Sequence, residues 1–140
     1  MLDDVERKNG PVPPAAPHAP AVLVIDDDPA MVESLAMMLE DHGFRVLTAN
    51  NGVRGLEVFR EQSPAVVLTD ILMPEQDGIG AIMTMRRERP AAKIIAISGG
   101  GRVGKSDFLT IAAKLGADAT FEKGRNAGEL VELLKAMLPR

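Results

Sequence analysis

Acidic side chains directly follow two of the largely apolar runs in this sequence. Asp26 and Asp27 come after the run Ala21–Ile25, and Asp70 comes after the run Ala65–Thr69. Carboxylates that meet at one edge of a fold repel each other unless a cation or a proton lies between them. Oxygen ligands of this kind suit a hard cation, and Mg²⁺ above all where phosphate is also present. These residues therefore predict a magnesium site, provided that the fold brings them together.

A hydroxyl and an ammonium group follow the later apolar runs. Ser98 ends the run Lys93–Ser98, and the short run Ala119–Phe121 leads into Lys123. Both groups donate hydrogen bonds, so beside a bound cation they can hold phosphoryl oxygens. The chemistry that these residues indicate is the binding or transfer of a phosphoryl group.

The elements that must position these side chains alternate between strand and helix. The run Ala21–Ile25 is continuous, which is typical of a parallel strand buried on both faces. Asp28 is the predicted N-cap of the next helix, with Pro29 at its first position and Gly43 as a left-handed cap at its end. Five strand–helix units predict an α/β fold, an open parallel sheet with helices on both faces. Ligands bind such sheets at the carboxyl ends of the strands.

The apolar faces of the helices supply the predicted core. Apolar residues at helical spacing run from Phe108 to Leu115 and again from Leu130 to Met137. Methionine is flexible enough to fill irregular gaps in a core. We therefore expect five methionines to be core residues: Met31, Met37, Met38, Met83 and Met85.

Composition and charge narrow the function classes. The chain has 140 residues, a formal net charge of −4 and no basic cluster, which argues against nucleic-acid binding. The absence of cysteine excludes disulfides and thiolate metal sites. No apolar run is long enough to span a membrane, and the acidic, mixed start of the sequence is unlike a signal peptide. We expect a cytoplasmic protein with no membrane partner.

Proline is concentrated in the segment before the first strand. Five prolines lie within Pro11–Pro20. Proline fixes φ and has no amide donor, so this segment suits neither a sheet interior nor a helix. Residues 1–20 are therefore predicted to form an extended or disordered arm, and residues 21–140 the folded domain.

A glycine-rich stretch, Gly99–Ser106, fits the G-x-x-x-x-G-K-[ST] pattern of a phosphate-cradling loop. It follows a predicted strand and precedes a predicted helix, as that pattern requires. A nucleotide-binding loop of this type usually follows the first strand, and a later strand ending in an acid helps to hold Mg²⁺. Here the match follows the fourth strand, and no later apolar run ends in an acid. Nucleotide binding is therefore the least favoured reading of this stretch.

The segment Thr69–Gly78, "TDILMPEQDG", fits D-x-x-M-P-x-x-D-G after an apolar strand. Together with the early acidic pair, Ser98 and Lys123, it resembles the receiver domain of two-component response regulators over Ala21–Leu138. The resemblance implies a flavodoxin-like, doubly wound (βα)5 three-layer sandwich with strand order 2-1-3-4-5.

The resemblance also implies roles for the polar residues. Asp70 would be the phosphoacceptor, whose carboxylate attacks phosphorus to give an acyl phosphate. Ser98 would donate a hydrogen bond to the phosphoryl group and shift on phosphorylation. Lys123 would pair first with Asp70 and later with a phosphoryl oxygen.

A magnesium ligand set follows from the same resemblance. Asp26 and Asp27 would form the acidic pair, Asp27 as a direct ligand and Asp26 through water. Asp70 and the backbone carbonyl of Leu72 would complete the protein ligands.

Two positions depart from the family pattern. Thr120 stands where the family usually has an aromatic residue that reports phosphorylation, and Phe121 is expected to point to the opposite face. Gly124 stands where proline with a cis peptide bond usually follows the lysine. A cis bond without proline costs about 2.5–4 kcal/mol, so a trans bond is expected here.

The leading hypothesis is a stand-alone receiver, phosphorylated by a sensor histidine kinase or a phosphotransfer protein. It would not be an enzyme, apart from autophosphatase activity. Its output would pass to a downstream protein through the face formed by the fourth helix, fifth strand and fifth helix, from a monomer or weak dimer. A degenerate receiver that binds partners without phosphorylation is the main alternative, kept open by Thr120 and Gly124.

Overall fold

The computed structural model describes residues 20–71, 77–98 and 105–138, without the side chains at 77, 78, 105 and 106. The predicted arm therefore lies almost wholly outside the described residues. Within these ranges, five strands alternate with five helices. The elements are β1 (Ala21–Ile25), α1 (Pro29–Asp41), β2 (Arg45–Ala49), α2 (Gly52–Gln62), β3 (Val66–Asp70), α3 (Asp77–Glu88), β4 (Lys93–Ser98), α4 (Lys105–Leu115), β5 (Ala119–Glu122) and α5 (Ala127–Met137).

The strands form one parallel sheet in the order β2-β1-β3-β4-β5. This order confirms the predicted flavodoxin-like, doubly wound fold. The switch in strand order lies between β1 and β3, which are neighbours, with Ile25 opposite Thr69 in the register. The residues that follow these two strands must therefore emerge side by side.

Two apolar clusters hold the helices against the two faces of the sheet. On one face, side chains of α2, α3 and α4 pack on β1, β3 and β4, with Phe59 and Met85 fully buried. On the other face, Leu39 of α1 and Leu130 and Leu134 of α5 pack on the same three strands. Strands β1 and β3 are buried along their whole length, as the continuous apolar runs predicted.

The ends of α1 follow the sequence signals. The side chain of Asp28 accepts a hydrogen bond from the backbone N–H of Ala30 at 3.0 Å, and Pro29 opens the helix. Gly43, just past the end of α1, has a φ of 87°. Both predicted caps are therefore confirmed, which fixes how the chain leaves β1 and enters β2.

The methionine prediction is partly wrong. Met85 is fully buried, but Met37 and Met83 are 58% and 53% exposed. A helix at a sheet surface buries one stripe, and Leu39 and Ile82 already occupy the buried faces of α1 and α3. Residue type alone did not reveal on which face of its helix each methionine lies.

Within the described residues, no helix combines the length and the apolar character that a membrane crossing requires.

Candidate functional site

Three carboxylates meet at the carboxyl end of the sheet. One carboxylate oxygen from each of Asp26, Asp27 and Asp70 lies within 4.8 Å of the other two. The parallel register of β1 and β3 causes this, because both strands end at the same height. Close packing of α2 supports β1 here, since a Cβ on Gly55 would overlap the Cδ1 of Ile25.

Asp26 is fully buried. Its Oδ1 accepts a hydrogen bond from the backbone N–H of Asp28 at 2.9 Å. Its Oδ2 forms an ion pair with Lys123 Nζ at 2.8 Å, but no donor among the described residues is aligned with it for a hydrogen bond. This oxygen therefore has room in its coordination for a further positive charge.

Asp27 is exposed, and its environment disfavours the charged form. Partial desolvation, the negative charge of Asp26 and a hydrogen bond with Asp26 raise the pKa of the Asp27 carboxyl, with a smaller contribution from Asp70. Repulsion from Asp26 and Asp70 therefore adds to desolvation in raising the pKa of Asp27, the most exposed of the three carboxylates.

Lys123 is the cation that the fold itself supplies. Its Nζ donates a hydrogen bond to Asp70 Oδ2 at 3.1 Å while it pairs with Asp26. Burial alone would lower the pKa of Lys123, but its close contacts with the Asp26 and Asp70 carboxylates and their attraction outweigh it and raise the pKa. Among the described side chains, these three carboxylates and one ammonium group leave two formal negative charges in excess.

Ser98 lies half-buried at the end of β4. Its carbonyl oxygen accepts a hydrogen bond from the backbone N–H of Lys123 at 2.7 Å, which sets the position at which Lys123 leaves β5. In the register, Asp70 lies opposite Ile97, so Ser98 is one residue beyond the neighbour of Asp70. The predicted site residues that follow β1 and β5 and that end β3 and β4 therefore lie together at the carboxyl end of the sheet.

Part of the predicted site lies outside the described residues. This holds for Leu72, the proposed carbonyl ligand, and for nearly all of the glycine-rich stretch Gly99–Ser106.

The two family departures have visible structural consequences. Thr120 is exposed, whereas Phe121 packs against the cluster beneath α1 and α5. No described peptide bond is cis, which confirms the trans bond expected between Lys123 and Gly124. Gly124 has a φ of 87°, and the position of a Cβ there would be open space.

A divalent cation fits this donor set. All three side chains offer hard oxygen ligands, the cluster carries excess negative charge, and one buried oxygen of Asp26 lacks an aligned donor. Oxygen donors at this spacing suit Mg²⁺, which takes a few carboxylates and keeps several waters.

Sequence reasoning missed two contacts that organise the site. The first is the hydrogen bond from the Asp28 N–H to the Asp26 side chain, which closes an Asx turn. The run of three aspartates could have indicated this turn. The ion pair between Lys123 and Asp26 had no such signal. It depends on how far β5 extends relative to β1, across two intervening strands.

Comparisons with known proteins agree with this geometry. Residues 22–135 match the family model of the response regulator receiver domain. A CpxR homolog of Haemophilus influenzae, named as a transcriptional regulatory protein, is 34% identical over 85% of this chain and 50% of its own length. The protein PilH of Pseudomonas aeruginosa is 37% identical over 64% of this chain and 83% of its own length.

Solved structures show the same fold. A CheY-like receiver domain protein from Methanospirillum hungatei superposes with a TM-score of 0.75 at 27% identity, over 84% of this chain and 92% of its own. The chain belongs to the response regulator receiver domain family. It spans about half the length of several curated relatives.

Proposed function

We propose that this chain is a phosphoacceptor signalling module in which Asp70 receives a phosphoryl group in the presence of Mg²⁺. One observation carries the proposal. Asp70 is 8% exposed at the end of β3, and its carboxylate lies beside the oxygens of Asp26 and Asp27 and accepts a hydrogen bond from Lys123. An acceptor, an acidic cation site and a fixed ammonium group are thus combined at one edge.

The phosphoryl donor is a phosphohistidine of a sensor kinase or a phosphotransfer protein. An oxygen of Asp70 forms a bond to phosphorus while the phosphorus–nitrogen bond breaks. The electron pair leaves with the imidazole, which keeps or takes up a proton. Because the transferred group is anionic and the acceptor is a carboxylate, this step needs charge neutralisation more than proton transfer.

The residues of this chain divide that task between them. Asp26, Asp27 and Asp70 would hold the Mg²⁺ ion, with the Leu72 carbonyl as the fourth predicted ligand. Such an ion neutralises charge on the phosphoryl oxygens. Lys123, kept charged by its two carboxylate partners, would move from the Asp70 carboxylate to a phosphoryl oxygen.

Ser98 would respond to the new group. Phosphorylation adds about −1.5 to −2 charges at neutral pH. The Ser98 hydroxyl would donate a hydrogen bond to one of the new oxygens, and its backbone link to Lys123 would couple β4 to β5. A protein target would read the change on the face formed by α4, β5 and α5, where Leu109 is 42% exposed. The cytoplasmic location stays a prediction.

The test is intact-mass spectrometry after incubation with Mg²⁺ and acetyl phosphate. We expect one phosphoryl increment on the unaltered chain, and none on Asp70→Asn or after Mg²⁺ is chelated. Asp107→Asn, which neutralises an exposed acid on α4, is the matched control and should keep the increment.

An unaltered chain that stays unmodified while it binds Mg²⁺ and remains folded would contradict the proposal. That result would favour the degenerate receiver, in which the site binds a cation but accepts no phosphoryl group. An increment that survives in Asp70→Asn would place the acceptor elsewhere.

A further inference from the structure

A groove of about 540 Å³ runs between α1 and the outer end of β2. Its long wall is the face of α1 that runs from Pro29 to Glu40, and its other residues are Thr48, Ala49, Asn50 and Arg54. The floor is partly apolar, and Met37 on the α1 wall is 58% exposed. This is the largest exposed apolar side chain on α1, and the core does not account for it.

Among the described strands, β2 lies at the edge of the sheet and has β1 as its single neighbour. The carbonyl of Ala49 points to β1, because it accepts the N–H of Asp26 at 3.3 Å. Backbone groups alternate in direction along a strand, so those of Val46 and Thr48 point outward. Among the described residues these outward groups have no partner, which leaves an edge that another strand can pair with.

The side chain of Thr48 supports the same interpretation. Val46 packs on the cluster beneath α1, and Thr48, two residues later, shares that face of the sheet but is exposed. A position that faces a helix is normally covered. Here α1 leaves it open to the groove.

The charge of the groove is acidic. Glu33 and Glu40 are exposed on the α1 wall, and neither carboxylate has an ion-pair partner within the described ranges. Arg54 also lines the groove, but its guanidinium group is already paired with Glu57 at 3.1 Å. The unpaired charge that the groove presents is therefore negative.

We propose that this groove is an interaction surface for an extended basic segment of a partner protein, which pairs with the outer edge of β2. Adding a strand to an exposed edge supplies main-chain hydrogen bonds, and side-chain pockets supply specificity. Basic side chains of the segment meet Glu33 and Glu40, and a small apolar side chain between them covers Met37.

The spacing of the two glutamates specifies the segment further. Glu40 is seven positions after Glu33, which is about 10 Å along α1. Alternate residues of a strand face the same side, and four residues span about 13 Å. The matching segment has basic residues at its first and fifth positions and a small apolar residue at its third.

Charge also argues against a second copy of this chain as the occupant. Pairing of two β2 edges about a two-fold axis would bring Glu33 and Glu40 of one copy towards those of the other. Like charges across an interface disfavour association.

The probe is a blocked five-residue peptide, Lys-Thr-Val-Thr-Lys, titrated into the full chain and followed by amide chemical shifts. We expect saturable shifts centred on Thr48 and the α1 wall. The isomer Thr-Lys-Val-Lys-Thr, which puts both lysines on the other face, should bind about tenfold more weakly. The peptide Lys-Thr-Val-Thr-Lys with methylated backbone nitrogens should not bind, because it cannot donate the hydrogen bonds of an added strand.

Protein variants separate this site from general charge attraction. Glu33→Lys with Glu40→Lys should weaken binding of the first peptide by about tenfold or more, with an unchanged urea midpoint. The matched control, Glu61→Lys with Glu132→Lys, changes the net charge equally on exposed positions outside the groove and should leave binding within about twofold.

Three results would overturn the proposal. One is equal binding to the groove variant and the control. Another is shifts centred elsewhere, such as around Phe121. The third is self-association through β2 in place of peptide binding.

Discussion

Among the described side chains, three carboxylates share one ammonium group at the carboxyl end of the sheet. At the amino end, one guanidinium group and one carboxylate pair with each other and with the backbone around them. Arg86 of α3 pairs with Asp118 Oδ2 at 2.7 Å, and that oxygen also accepts the N–H of Ile94 at 2.8 Å. The terminal nitrogens of Arg86 also donate to the carbonyls of Pro90, Ala92 and Gly116 at 2.9, 2.9 and 2.6 Å, whereas its buried Nε has no hydrogen-bond partner among the described residues.

The difference separates charge that stabilises the fold from charge that serves a ligand. At the amino end, charge-assisted hydrogen bonds join α3, α4 and the starts of β4 and β5. At the carboxyl end the like charges oppose each other, and the excess is useful only when a cation binds. The charges that stabilise the fold and the charges proposed to serve a ligand thus lie at opposite ends of the strands of one sheet.

The largest effect is expected from breaking the amino-end cluster. Arg86→Met would leave the Asp118 carboxylate and several carbonyls without their donor, so we expect a loss of about 2–4 kcal/mol in the free energy of unfolding. Urea denaturation measures it. Arg87→Met, at an exposed neighbour on the same helix, should change stability by less than about 0.5 kcal/mol. Equal losses in the two variants would contradict the role given to Arg86.

A smaller effect concerns acid stability. Burial alone would raise the pKa of Asp118, but the Ile94 amide and Arg86 outweigh it and hold the pKa below its usual value of 3.8. A carboxyl whose folded pKa is lowered stabilises the fold above its unfolded pKa. That stability is lost as the pH falls from the unfolded pKa, about 4, through the lower folded pKa. Asp118→Asn should therefore cost about 1.5 kcal/mol at pH 7 and progressively less below pH 4.

The matched control for Asp118 is Asp41→Asn, at an exposed acid that ends α1. Its unfolding curves should follow those of the unaltered chain from pH 7 to pH 3. If the cost of Asp118→Asn did not shrink as pH falls, the stabilisation would not come from the charge of Asp118.

The sequence predicted most of the fold because local signals and long-range packing agree. Continuous apolar strands, the Asp28 cap and Gly43 each specify one boundary, and their alternation specifies the sheet. The amino-end cluster was not predicted, because an arginine on a polar helix face looks the same whether it meets solvent or the end of a neighbouring strand. The register of Arg86 against Asp118 exists only once the sheet is assembled.

The candidate site was predictable to a different degree. The residues at the strand ends could be named, since parallel strands bring their carboxyl ends to one edge. That Lys123 contacts both Asp70 and Asp26 could not be predicted, because these contacts depend on distances across the sheet. The exposure of Met37 was also missed, and that methionine lies in the groove rather than in the core.

The smallest stability effect tests the central claim most directly, namely that the carboxyl end holds negative charge in excess for a cation. The measurement is the free energy of unfolding with and without Mg²⁺, for the unaltered chain and for Asp27→Asn. Without Mg²⁺ we expect Asp27→Asn to be as stable or more stable, by less than about 1 kcal/mol, because repulsion is relieved.

With Mg²⁺ tenfold above its dissociation constant, the unaltered chain should gain about 1.4 kcal/mol and Asp27→Asn clearly less. Asp41→Asn should gain as much as the unaltered chain. An equal gain in Asp27→Asn, or no gain in the unaltered chain, would contradict the claim that these carboxylates form a cation site.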